Sequence, residues 1–172
     1  MALTKVIGSG IGTTASLADS NMPAGSVLQV VSAEEPYSSS TTTSNTWVAI
    51  GAGASITPSA SSSRVFVTFS VDMRPGSNNS FGFGLMRSIN GGDFSIVQTI
   101  VRHATYPVIV DALITVNYTD SPNTTNAVAY KAAMHSYSGA TNTFMPNPYT
   151  KTGNGGTSGG SAGLWTLMEI AG

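Results

Sequence analysis

The clearest pattern in the chain is a strict alternation of apolar and polar residues over residues 64–73. The alternate positions on one face are all apolar: Val65, Val67, Phe69, Val71 and Met73. A period of two is the spacing of a strand that buries one face, so this segment predicts a half-buried strand. Phe66 is the one apolar residue on its polar face, and we consider it a candidate for a subunit contact.

Similar patterns predict seven more strands, at residues 27–31, 46–51, 81–89, 94–101, 107–118, 127–137 and 164–170. Asn90-Gly91-Gly92-Asp93 joins two of them, and its glycines supply the positive φ of a hairpin turn. No segment combines a helical period with a cap. The pattern therefore predicts an all-β fold, an antiparallel β-sandwich or jelly roll.

Glycine-rich and polar segments set the predicted organisation of the chain. Residues 1–26 are small, polar and punctuated by glycine, and they predict an extended N-terminal arm that becomes ordered by docking on another protein. Residues 27–172 are predicted to form the sandwich domain. Long surface loops are expected at residues 32–45, 51–63 and 138–163.

The low charge of the chain favours a domain that belongs to an assembly over one that is free in solution. Of the 172 residues 41% are hydrophobic but only 9% are charged, against about 25% in an ordinary soluble domain. Such a surface lacks the charge repulsion that keeps monomers apart, so we expect neighbours to cover part of it. The net charge of −1 and the absence of a basic stripe argue against nucleic-acid binding.

Composition also limits the chemistry and the cellular location. The chain has no cysteine, which excludes disulfides and thiolate catalysis. Neither a signal peptide nor an apolar run of about 20 residues is present, so we expect synthesis in a cytoplasm and no membrane insertion.

Candidate catalytic groups are few and scattered, so no catalytic residue, cofactor or metal is predicted. Asp72, Asp93 and Asp120 lie at strand ends or turns, where carboxylates usually cap backbone N–H groups. His103 and His135 are not at a metal-ligand spacing and are expected to be ordinary polar residues at strand ends. A glycosidase, which needs two facing carboxylates, stays open as an alternative.

Aromatic residues in turn-rich segments are the candidate binding residues. They are Tyr37, Tyr106, Phe144 and Tyr149. Aromatic faces beside Asn, Ser and Thr suit sugar rings, which stack on them and form hydrogen bonds around the edge. The alternative interpretation is that these side chains anchor the loops to the sandwich.

Four stretches together resemble a β-rich domain of tailed-phage virion structural and tail-fibre proteins of the marine phage type. They are Gly25-Ser26-Val27-Leu28-Gln29-Val30-Val31, the segment from Ser55-Ile56-Thr57-Pro58 to Ser63-Arg64-Val65-Phe66-Val67, the segment from Asp120-Ser121-Pro122 to Ala127-Val128-Ala129-Tyr130, and Leu167-Met168-Glu169-Ile170-Ala171. The resemblance covers roughly residues 25–172 and includes no catalytic signature. It implies a homotrimeric protein on the virion surface, made in the cytoplasm of the host bacterium.

Several functions fit these features. The first is a tail-fibre tip that binds a glycan on the host surface, with residues 1–26 attached to other virion proteins. A capsid decoration protein docked on the head through the same residues is close to it. A glycan-cleaving depolymerase and a lectin outside any phage are the remaining alternatives.

Overall fold

The computed structural model describes residues 22–36, 40–73, 80–105, 112–136, 142–144 and 163–172. These residues form strands and turns and contain no helix. The strands are β1 (Val27–Glu35), β2 (Ser40–Thr42), β3 (Val48–Ile56), β4 (Arg64–Met73), β5 (Ser80–Ile89), β6 (Ser95–Thr105), β7 (Ala112–Asp120), β8 (Val128–Ser136), β9 (Asn142–Phe144) and β10 (Gly163–Ile170).

Eight of these strands form two antiparallel sheets of four. The first sheet has the order β1-β10-β4-β7 and the second the order β3-β8-β5-β6, while β2 and β9 pair separately. Among the eight, the chain changes sheet at every connection except the β5–β6 hairpin. This alternation between two facing sheets is the topology of a jelly roll. It confirms the all-β sandwich expected from the sequence.

The core lies between the two sheets, where alternate residues of both face inward. The apolar face predicted for β4 is buried, with Val65, Val67 and Phe69 at most 1% exposed. Phe69 stacks on Trp165 of β10 with ring centroids 3.9 Å apart and an interplanar angle of 13°. Phe66 points to the outer side of the first sheet and is half-buried, so its place on the polar face is confirmed.

Strand pairing gives the sandwich two distinct ends. At the arm end lie residues 22–26, the connections 57–63, 90–94 and 121–127, and residues 171–172. The other four connections, 36–47, 74–79, 106–111 and 137–162, leave from the opposite side, which we call the far end. Pairing of Glu35 with Gly163, of Met73 with Ala112 and of Ser80 with Thr105 fixes this arrangement.

Two predicted loop boundaries are wrong. Residues 32–35 continue strand β1, and residues 51–56 continue strand β3. Both segments were predicted as loops because glycines and polar residues interrupt the alternation there. The contacts of Glu35, described below, show why these segments are extended.

The last residues of the predicted arm are held against the sandwich. Gly25 donates its backbone N–H to Ala171, and Ala171 donates to Ser26, at 2.8 Å each. Gly25 has a φ of +90°, which glycine adopts without the cost that other residues pay. Residues 22–26 therefore join the domain at the arm end, while residues 1–21 lie outside the described residues.

A buried carboxylate, Glu169 of β10, connects segments at the arm end by hydrogen bonds. It accepts hydrogen bonds from Gln29 Nε2 at 2.6 Å and from the backbone N–H and the hydroxyl of Ser59 at 2.7 Å each. Burial alone would raise the pKa of this carboxyl, but the hydrogen bonds outweigh burial and lower the pKa below its usual value of 4.5. Glu169 thereby links β1, β10 and the β3–β4 connection.

We expect Glu169 to contribute to acid denaturation. Because its pKa is lower in the folded than in the unfolded state, its stabilising contribution is complete above about pH 4.5 and is lost as the pH falls through the folded value. Urea denaturation between pH 7 and pH 3 should show this loss, and a Glu169→Gln variant should lack that part of the pH dependence. An unchanged pH profile in the variant would contradict this role.

Candidate functional site

The far end is the candidate site because the strands that flank the connections with all four predicted aromatic residues end there. Tyr37 belongs to the β1–β3 connection, Tyr106 to the β6–β7 connection, and Tyr149 to the β9–β10 connection. Phe144 ends β9, where its backbone pairs with Ser40 of β2. Tyr37, Tyr106, Tyr149 and the side chain of Phe144 lie outside the described residues, so their role in glycan binding stays a prediction.

The β2–β9 pair bridges two of the connections at the far end. It joins residues 40–42 of the β1–β3 connection to residues 142–144 of the β8–β10 connection. The backbone N–H of Ser136, at the end of β8, donates to the Ser44 carbonyl at 2.7 Å. These bonds link the described parts of the two connections to each other and to the second sheet.

Glu35 anchors this end from inside the sandwich. Its side chain is fully buried, whereas the neighbouring Glu34 is exposed, as expected for an extended segment. The carboxylate accepts hydrogen bonds from the backbone of Ala52 at 2.7 Å and of Gly53 at 3.1 Å, and from Trp165 Nε1 at 2.9 Å. Glu35 of the first sheet is therefore bonded to a strand of the second.

The Glu35 contacts depend on an irregularity in β3. The pairing of β3 with β8 shifts register between Ile50 and Ala54, which turns two backbone N–H groups toward the carboxylate. Gly51 and Gly53 have φ values of +75° and +76°, which strongly favour glycine. A Cβ at Gly51 would also lie 2.6 Å from Glu35 Oε1. Two glycines within an apolar strand pattern are the sequence signal that could have identified this bulge.

Trp47 is an aromatic residue of the far end that lies within the strand predicted at residues 46–51. It directly precedes β3, and its half-buried indole packs edge-on to His135 with ring centroids 4.3 Å apart. Gly82 and Gly84 of β5 make room for the indole, since a Cβ at Gly84 would lie 3.2 Å from Trp47 Cζ3. Trp47 thus covers the outer side of the second sheet next to the candidate site.

His135 differs from the ordinary polar residue expected at a strand end. It is only 6% exposed beside Trp47. Burial lowers the pKa of its imidazole below 6.5 and outweighs the opposite effect of the hydrogen bond with the Ser136 backbone. The neutral imidazole is therefore favoured in the folded protein.

We expect mild acid to destabilise the domain through His135. The pKa of His135 is lower in the folded than in the unfolded state. The free energy of unfolding is therefore highest above about pH 6.5 and decreases as the pH falls further, by at most about 1.4 kcal/mol per pH unit. Thermal denaturation of the wild type and of His135→Gln between pH 7.5 and pH 5 tests this. The variant should lose part of the pH dependence in this range, and a slope equal to that of the wild type would contradict the assignment.

The buried carboxylates of the described residues act as structural hydrogen-bond acceptors. Besides Glu35 and Glu169, Asp120 at the end of β7 lies 2.9 and 2.8 Å from Arg87 Nη1 and accepts a hydrogen bond from Tyr130 at 2.8 Å. The expectation that Asp120 caps a backbone N–H group is therefore wrong. Burial and the bond to Asp120 raise the pKa of Tyr130 far above its usual value.

Neither a metal-binding group nor a membrane-spanning helix is found in the described part of the chain. These residues include no cluster of three or more His, Asp or Glu side chains that could hold an ion. They also include no helix long and apolar enough to cross a membrane.

Comparison with known proteins gives structural likenesses only. No family model and no curated protein matches the chain. The chain is similar to the VP2 subviral particle of infectious bursal disease virus, with 13% identity, a TM-score of 0.43 and 84% of this chain covered. It is also similar to a chain of the Gx strain of that virus, with 13% identity, a TM-score of 0.38 and 83% coverage. The chain spans 32% and 37% of these two chains.

Proposed function

We propose that this chain is a non-enzymatic structural protein on the surface of a tailed-phage virion. In this proposal residues 1–26 attach a homotrimer to other virion proteins. The far end, with Tyr37, Tyr106, Phe144 and Tyr149, binds a glycan of the host surface, as the tip of a tail fibre does.

The observation that carries this proposal is the opposite placement of the two ends. Residues 22–26 join the sandwich at the arm end, whereas the three connections with the candidate aromatic residues leave from the far end. Strands of eight to eleven residues separate the two ends, a distance of about 25–35 Å. This layout suits a protein that is held at one end and binds at the other.

The state of the carboxylates supports a binding role over glycan cleavage. Glycosidases need two carboxyl groups that face a substrate across a cleft. Among the carboxylates whose side chains are described, Glu35, Asp120 and Glu169 are buried and hydrogen-bonded within the protein. The exposed Glu34 and Asp93 lie near opposite ends of the sandwich, so no two of these described carboxylates face each other across a cleft.

Immunogold electron microscopy of intact virions tests the location. Label at the tail tip is the expected result. Label over the head would instead support the alternative of a capsid decoration protein held by residues 1–26. Virions without label would exclude both.

Glycan arrays with the full-length protein test the binding role. Tyr37→Ala, Tyr106→Ala and Tyr149→Ala should each reduce binding to a host-surface glycan about tenfold or more, because a stacked aromatic ring contributes a large share of such a contact. Phe94→Ala is the matched control, since it removes an aromatic ring at the arm end. Equal loss in the control, or no loss in the three variants, would contradict a glycan site at the far end.

A further inference from the structure

A buried histidine lies on the outer side of the second sheet, beneath an aromatic ring. Met134 of β8 belongs to the core, so the next residue, His135, points to the outer side. His135 is nevertheless only 6% exposed, because the indole of Trp47 packs against its imidazole. Gly82 of β5 leaves the space that both rings need, since a Cβ there would overlap His135 Nε2 and lie 3.0 Å from Trp47 Cη2. Trp47 and the glycine backbone therefore exclude water from this imidazole.

Desolvation is the main influence on the titration of His135, and it lowers the pKa of the imidazole below 6.5. Basic residues on the surrounding strands are Lys131, four residues back on the same face of β8, and Arg102 and His103, which lie beside Gly82 in the register of β6. The side chains of Arg102 and His103 lie outside the described residues. The other described segments packed around the imidazole contain no charged residue: 40–49, 81–84 and 142–144. The sheet thus favours the neutral imidazole over the charged one.

The segment that carries Trp47 can leave the sheet without opening the core. Trp47 packs on the outer side of the second sheet and is not among the core residues. Residues 43–46 before it are mostly exposed, and the bonds between Ser44 and Thr46 are internal to this segment. The Ser44 carbonyl, which accepts the N–H of Ser136 at 2.7 Å, ties the segment to β8. Local opening of such an exposed segment costs less than unfolding of the whole domain.

We propose that protonation of His135 releases Trp47, and with it residues 43–47, from the second sheet. The charged imidazole regains water once the indole no longer covers it, so the proton stabilises the open state. Residues 43–47 join β2 to β3, and β2 pairs with β9 across the far end. Release therefore loosens the described framework of the far end while the two sheets stay packed. For glycan binding the inference rests on the proposed function, and that binding weakens in mild acid.

The direction of the pH dependence follows from the two states of the imidazole. In the open state it titrates near its usual value of 6.5, whereas burial holds the pKa of the closed state lower. The ratio of open to closed molecules is therefore constant above about pH 6.5 and rises below it, by up to about tenfold per pH unit. The closed state is the form at neutral and higher pH.

Acrylamide quenching of tryptophan fluorescence between about pH 7.5 and pH 5 tests the release. Accessibility to acrylamide is the readout, because it reports exposure of the indole rather than the charge beside it. The chain has two tryptophans, and Trp165 is fully buried in the core. Accessibility in the wild type should rise as the pH falls, whereas Trp47→Phe, which reports Trp165 alone, should show no rise. An equal rise in Trp47→Phe would indicate opening of the core and overturn the proposal.

Two histidine variants assign the titrating group. The chain has two histidines, so His103→Gln is the matched control for His135→Gln. His135→Gln should make the accessibility of Trp47 independent of pH in this range, and His103→Gln should preserve the response. A wild-type accessibility that stays constant down to pH 5, or a response that His135→Gln retains, would overturn the proposal.

The quenching experiment needs neither glycan nor virion, so its failure is distinct from failure of the proposed function. A chain that releases Trp47 in acid but binds no glycan contradicts only the proposed function. A chain that binds a glycan at the far end, with constant accessibility of Trp47, contradicts only this inference. When both hold, glycan binding by the wild type should be weaker at pH 5 than at pH 7.5, and His135→Gln should reduce this difference.

Discussion

Replacing Glu35 by alanine should lower the free energy of unfolding by about 3–5 kcal/mol. The substitution removes the acceptor of three hydrogen bonds, which come from Ala52, Gly53 and Trp165. All three donors lie in the interior or beside it, and an unpaired buried donor costs about 1–3 kcal/mol. Urea denaturation followed by tryptophan fluorescence measures the loss.

Two variants at the same place on β1 sharpen this test. Glu34→Ala alters the exposed neighbour and should change stability by no more than about 0.5 kcal/mol. Glu35→Gln keeps one acceptor oxygen but turns an amide toward donors, so its loss should fall between those of the other two variants. A loss below about 1 kcal/mol in Glu35→Ala would show that the Glu35 bonds contribute little to holding β1 against β3.

The strands with one clean apolar face were predictable from the sequence. The predicted bounds of β4 match the structure, since residues 64–73 alternate without interruption and Val65, Val67 and Phe69 fill the core. The hairpin at Asn90-Gly91-Gly92-Asp93 is also confirmed, with positive φ at Asn90 and Gly91. In both cases neighbouring residues alone determine the local structure.

The predicted strands are shorter than the observed ones where the extended structure depends on a residue far away in the sequence. The second half of β3 contains Gly51 and Gly53, which locally favour a turn. It is extended because Glu35, 17 residues away from Ala52 in the chain, accepts the N–H groups that the bulge exposes. The prediction that Asp120 caps a backbone N–H group is wrong for the same reason. Its partners Arg87 and Tyr130 lie on the other sheet, which local sequence does not reveal.

The residues of the candidate site could be predicted from the sequence, but their common location at one end of the sandwich could not. Aromatic side chains in turn-rich segments can be selected by composition, as Tyr37 and Tyr106 were. That their connections leave from one end of the sandwich follows from the strand order, which local periodicity does not contain. Trp47 was missed as a residue of this end, because its packing over Gly82 and Gly84 joins segments far apart in sequence.

Two buried carboxylates tie the sheets together at opposite ends. Glu35 links β1 to β3 near the far end, and Asp120 links β7 to β5 and β8 near the arm end. Each carboxylate accepts hydrogen bonds from the facing sheet in place of water. Because these bonds form only when donor and acceptor lie opposite each other, they specify how the two sheets align. Apolar contacts alone favour contact between the sheets but discriminate less among alignments.

Replacing Asp120 by leucine should destabilise the domain by about 2–4 kcal/mol. The change leaves the Arg87 guanidinium without its carboxylate and the buried Tyr130 hydroxyl without its acceptor. The Arg87 side chain retains 23% exposure, so the penalty stays below that of a fully buried charge. Urea denaturation at pH 7 measures it, and Tyr130→Phe, which removes one hydrogen bond, should cost only about 1 kcal/mol.

A double replacement separates the cost of an unpaired charge from the value of the pair itself. Arg87→Met combined with Asp120→Leu removes both charges and fills similar volume, and such exchanges are often close to neutral. The double variant should therefore be more stable than Asp120→Leu alone by about 1 kcal/mol or more. If it is instead the less stable of the two, Arg87 stabilises the domain through contacts other than the one with Asp120. The difference between the double variant and the wild type measures the net contribution of the pair.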